Sequence, residues 1–243
     1  MLEKIAALFE AWGAKNALDQ LEFLLDPGTL PFAIWETLYA PLAAALLAYV
    51  IGLPLGILLV TGEEGGIHPL NKGLMRIINT VINLLRSIPF LILMVMVFPL
   101  SRLILGTSIG TTATIIPLTV AAAPYVARLV EASLREMDRG VIEAAQSMGC
   151  STWQIITKVL LPECKPSLIN GATNAAITIL GYGAMAGSIG GGGLGSMSLM
   201  RGHGRNQIIV LYVAVIILVI LVQIIQSIGT ALCVKTDKRI THK

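Results

Sequence analysis

Five apolar stretches, each about as long as a bilayer core is thick, decide what this chain can become. They run over about Leu38–Val60, Ile77–Leu100, Thr111–Val130, Leu168–Ile189 and Ile208–Leu232. A helix rises 1.5 Å per residue, so the first stretch reaches roughly 35 Å, enough for a hydrocarbon core of about 30 Å. That core holds no water, so each backbone polar group must bond within its own segment, which requires helices. Only 13% of the residues are charged, against about 25% in an ordinary soluble domain, and the mean hydropathy is +0.81. The expected fold class is an all-α integral membrane protein with about five transmembrane helices.

Several functions are excluded at once. No basic patch is interleaved with aromatics, so nucleic acid is not an expected partner. The five stretches hold no Asp, Glu or His, the groups an ion-coupled secondary transporter would need. Cys150, Cys164 and Cys233 lack metal or redox spacing, and His68, His203 and His242 are isolated, so no metal site is expected. The Gly190–Gly193 run is not followed by Gly-Lys-Ser/Thr, so this chain carries no phosphate cradle and no nucleotide cofactor of its own. Those glycines are expected to form a flexible external turn. Gly183, Gly187 and Gly191, four apart, and the Gly52/Gly56 pair mark faces for close helix packing.

Residues 143–162, EAAQSMGCSTWQIITKVLLP, interrupt the apolar pattern between the third and fourth stretches. Gly149 can take positive φ and end a short helix over Val141–Met148. Ser151 with Gln154 three positions on reads as a capping box that opens the next helix. Pro162 bends or ends that helix. Helix, sharp turn, helix gives a protruding knob, in which Ala144 and Ala145 let another surface approach closely.

Glu143-Ala144-Ala145, Gly149 and Leu161-Pro162 resemble the EAA loop, about 134–166 here, of ABC importer permeases. RSIPF around Arg86, WETL before the first stretch, and GYGAMAG with its glycine turn are similar to methionine-uptake members of that group. The resemblance covers about residues 35–235 and implies a type I importer permease fold. It also implies a homodimer, two copies of a cytoplasmic ABC ATPase carrying ATP-Mg, and an extracytoplasmic substrate-binding lipoprotein. By the same resemblance Glu143, Ala144, Ala145 and Gly149 transmit force, Leu161 and Pro162 anchor the knob, and the fourth span lines the translocation path. Tyr182, Met185 and Ser188 are its candidate lining, although Met185 equally suits a packing gap. The implied function is an ATP-driven importer subunit for D- or L-methionine without an ATPase site of its own. Another amino acid or small solute remains the alternative.

With this loop in the cytoplasm, five spans put the N-terminus outside and the C-terminus inside a bacterial cytoplasmic membrane. Lys72, Arg76, Arg128, Arg135, Arg139, Lys158, Lys165, Lys235, Lys238, Arg239 and Lys243 then face inward. Lys4, Lys15, Arg102, Arg201 and Arg205 face outward. This is the positive-inside bias. Arg86, within the second span, either snorkels to the inner interface or pairs with neighbouring helix ends. Three regions follow: an N-terminal extension over 1–35, a permease domain over 36–235, and a tail over 236–243. Apolar residues at 5, 8, 9, 12, 18, 21 and 25 suggest one amphipathic helix lying on the outer leaflet.

Overall fold

The computed structural model describes residues 2–11 and 14–237, and every regular element among them is helical. In chain order these are α1 (Leu2–Ala11), α2 (Ala17–Leu25), α3 (Leu30–Thr61), α4 (Lys72–Ser87), α5 (Phe90–Leu105), α6 (Ile115–Arg135) and α7 (Arg139–Ser147). There follow α8 (Thr152–Gln154), α9 (Leu161–Glu163), α10 (Lys165–Ala186), α11 (Gly193–Ser196) and α12 (Ile208–Thr236). Two π-helical segments, Ile155–Leu160 and Met197–His203, join α8 to α9 and extend α11.

Among the described residues three helices are long and apolar enough to cross a membrane, or four if α4 and α5 count as one broken span. The second apolar stretch is therefore not one continuous helix. Pro89 biases Ile88 to extended backbone, φ −79° and ψ 126°, and the helix stops there. The first and third helices outrun their expected limits. α3 starts at Leu30, so WETL lies inside it, and α6 continues to Arg135 and takes in Glu131. The tail beyond Asp237, with Lys238, Arg239 and Lys243, lies outside the described residues, as does Trp12.

The chain divides into two compact units, and the division passes through α3, α6, α10 and α12. The first comprises Met1–Ala44, Phe90–Leu118 and Thr178–Ile224. Its core gathers Ala17, Leu24, Ala33, Leu194, Met197 and Val210, with Leu18 and Leu21 packed against them. The expected single N-terminal helix is two helices, because Asn16 adopts a left-handed conformation (φ 52°) between them. Leu18 and Leu21 turn inward, while Ile5, Leu8, Phe9 and Leu25 stay exposed. Gln20 is fully buried: its amide donates to Lys15 O at 2.7 Å and its carbonyl accepts from Ile209 N at 2.9 Å. That second bond satisfies one of the donors left open in the first turn of α12.

The second unit comprises Ala45–Pro89, Thr119–Ile177 and Ile225–Lys243. Here Gly52 and Gly56 let α3 lie directly on α6. A Cβ at Gly52 would sit 2.7 Å from Val126 Cγ1, and one at Gly56 2.6 Å from Val130 Cβ. Leu59, Met75, Ile82 and Ala127 complete this core.

Candidate functional site

The knob in the second unit is built from backbone logic. Asp138 caps α7 by accepting from Gly140 N at 2.8 Å. The helix ends at Gly149, φ 77°. Gly149 N donates to Gln146 O at 2.9 Å and Cys150 N to Ala145 O at 3.1 Å, the paired bonds of a Schellman turn. Ser151 and Gln154 then close the capping box, with Ser151 N on Gln154 Oε1 at 2.8 Å and Gln154 N on Ser151 Oγ at 3.3 Å.

Two expectations change here. Ala145 is only 2% exposed, and α7 packs against the Ile155–Leu160 segment, so this alanine serves the interior of the knob. Ala144 and Glu143 remain on the surface. Pro162 does not stop the chain's helical course. The π-helical turn shifts the bonding register ahead of it, and the interruption falls at Cys164 before α10 begins. Leu161 is half-buried and Pro162 exposed. Sequence reading passed over Met148, 76% exposed, and Trp153, 72% exposed, which flank the Gly149 turn. Large apolar side chains left open on a polar loop are the signal that marks them.

At the root of the knob lies a charged network that sequence reading also missed. Glu131 is buried in α6, and its carboxylate takes Arg128 Nη1 at 2.6 Å and Arg135 Nη2 at 2.9 Å. Arg128 Nη2 also donates to Asn79 Oδ1 at 2.8 Å and Asn83 Oδ1 at 2.9 Å on α4. Arg135 forks onto Glu63, just after α3, at 2.7 and 3.1 Å. A buried carboxylate is stable only with such partners. Arg86 stands apart from this network, exposed in the last turn of α4, where a positive charge suits the helix dipole.

In the first unit the glycine turn is clasped rather than flexible. Glu36 accepts from Gly193 N at 2.8 Å and from the Thr111 hydroxyl, and Thr37 Oγ1 accepts from Leu194 N at 2.8 Å. Gly110 N donates to Gly190 O at 2.8 Å. Glu36 and Thr37 thus cap α11, and WETL and the glycine run form one structure. Gly183 faces Pro41 of α3, where a Cβ would meet Pro41 Cγ at 2.6 Å. Tyr182 stacks on Phe90 with centroids 4.5 Å apart and planes 6° from parallel, so the ends of RSIPF and GYGAM meet. Met185 is 48% exposed, and Ser188 Oγ donates to Met185 O at 2.7 Å, which occupies its proton locally.

The family described as binding-protein-dependent transport system inner membrane component matches residues 52–236. The chain belongs to that family.

Relatives of this inner membrane component include the "Probable D-methionine transport system permease protein MetI" of Vibrio cholerae. It is 48% identical over 217 residues, covering 89% of this chain and 96% of that protein. The protein of the same name in Haemophilus influenzae is 46% identical and covers 87% and 99%. Among solved structures, a chain of the MetNI methionine ABC transporter in an inward-facing conformation is 44% identical with a TM-score of 0.84. It covers 86% of this chain and 96% of that one. An amino acid ABC transporter crystallised with histidines, 17% identical with a TM-score of 0.69, shares the fold. The chain is thus a multi-pass, all-helical permease of the type I importer fold.

Proposed function

We propose that this chain forms the translocation pathway of an ATP-driven importer for methionine, D or L. The observation that carries the reading is the knob: a capped helix, a glycine turn and a second capped helix presenting Glu143, Ala144, Met148 and Trp153 to solvent. Such a surface suits docking into a groove on a partner. Two copies of the chain pair, and each knob seats in a cytoplasmic ABC ATPase that binds ATP-Mg. Gly149 shapes the knob, while Leu161 and Pro162 join it to α10. An external binding lipoprotein delivers the substrate. ATP binding favours the closed ATPase pair and draws the knobs together, shifting the pathway between its two openings. Tyr182, Met185 and Ser188 line the path, and Arg86 lies at the inner interface.

The N-terminus is outside and the C-terminus cytoplasmic. The extension rests its Ile5, Leu8 and Phe9 face on the outer lipid surface, held at that level by Gln20 on the first turn of α12. The names of the relatives support methionine over another amino acid.

The deciding experiment is uptake of labelled L-methionine by the chain reconstituted with its ATPase and binding protein. The expected result is ATP-dependent uptake competed best by methionine. Uptake abolished more strongly by another solute would replace the substrate and keep the importer.

A further inference from the structure

The coupling helix α7 begins only four residues after Arg135, and Arg135 is not held by its own helix alone. It is bonded to Glu63, which follows α3, and to Glu131, whose other oxygen holds Arg128. Arg128 in turn grips Asn79 and Asn83, one turn apart on α4. Of the seven bonds in this network, three brace α6 itself, and four tie the root of the knob to the loop after α3 and to the length of α4 that leads into the break at Ile88–Pro89.

We infer that Glu63, Arg128, Glu131 and Arg135 are positioning residues that make α4 move with the coupling helix. The inference rests on the importer reading and deepens it. An ordinary surface ion pair would be too weak and too mobile for this role. Here Glu131 is buried and both arginines are oriented by more than one acceptor; the more exposed Arg135–Glu63 pair is made through two nitrogens, which fixes direction as well as distance. Without the network the end of α6, from which α7 follows by a short turn, would lose these bonds to α4 and to Glu63. A displaced knob would then leave α4 behind.

The test uses the complete complex in lipid nanodiscs, with Cys150, Cys164 and Cys233 replaced by Ser. Spin labels are placed at Thr80→Cys on α4 and Ser147→Cys on α7, in protomers diluted with unlabelled chain. The α4–α7 distance is read with and without ATP. The expected result is one unchanged distance in the parent and an ATP-dependent change in Glu63→Gln and Glu131→Gln. In parallel vesicles, methionine uptake per ATP hydrolysed falls about five-fold in these variants. An ATP-dependent distance change already present in the parent would overturn the proposal. So would an unchanged distance in both glutamine variants, or uptake lost only in proportion to assembled complex. A parent that hydrolyses ATP but carries no methionine would count against the substrate, while the distance readout still decides the network.

Discussion

The carboxylate of Glu36 accepts the backbone N–H of Gly193 at 2.8 Å, across 157 positions of sequence. It also takes the hydroxyl proton of Thr111, so one side chain fastens α3 to the segment just before α6 and to α11. Gly193 has φ 77°, and a Cβ there would meet Thr37 Oγ1 at 2.6 Å. Glu36→Ala leaves a buried N–H without its acceptor, which costs about 1–3 kcal/mol. Thermal unfolding of the purified subunit should show a clear fall in Tm, with Glu36→Gln retaining part of the difference. An unchanged Tm in Glu36→Ala would remove the clasp as a stabilising element.

Gly149 has open space around its absent Cβ, so only its φ of 77° restricts substitution. A β-branched residue meets a backbone penalty of at least about 1–2 kcal/mol, whereas Asn visits this region at less cost. Gly149→Val should therefore uncouple ATP hydrolysis from uptake, while Gly149→Asn keeps most of the transport. Equal loss in both variants would point to contact with the partner rather than turn shape.

Met148 and Trp153 expose apolar surface at the tip of the knob. If the ATPase covers them, Trp153→Ala should weaken assembly by at least about 30-fold, the scale of an aromatic hot spot. The isolated subunit should keep its Tm, because neither side chain is part of a core. Titration of the ATPase onto nanodisc-embedded subunit measures this directly.

Gly56 lies against Val130, where an added Cβ would come within 2.6 Å. Gly56→Ala should destabilise by about 1–3 kcal/mol through overpacking, and Val130→Ala in the same chain should recover only part of it, because the Val130 Cβ position and the Ala127 carbonyl oxygen at 2.7 Å remain. Chemical denaturation of the single and double variants gives the coupling between the two sites.

Met185→Cys, in a background free of other cysteines, should react with membrane-permeant thiol reagents at a rate that changes with nucleotide. Reactivity that is the same with and without ATP would place this residue in packing between helices rather than on the path. Its partial exposure within one subunit makes either result measurable.

Length and hydropathy alone fixed the solvent of this protein, because a long apolar run has only one stable state in hydrocarbon, the helix. Local rules were equally legible where the bonding partners lie within a few residues. The Gly149 turn and the Ser151–Gln154 box follow from neighbours that cannot avoid each other. The break at Pro89 follows the same local rule, yet a hydropathy scan reads straight through it.

Tertiary structure alone decided the rest, because charge and small size carry no address. WETL and the glycine run read as separate motifs until α3 brought Glu36 and Thr37 onto Gly193 and Leu194. Arg128 and Arg135 read only as inward-facing charges until α6 extended past Val130 and buried Glu131 between them. Ala145 read as a surface for a partner, and packing turned it inward. Only the fold determines which distant group will desolvate a side chain, and a desolvated polar group must find its partner there.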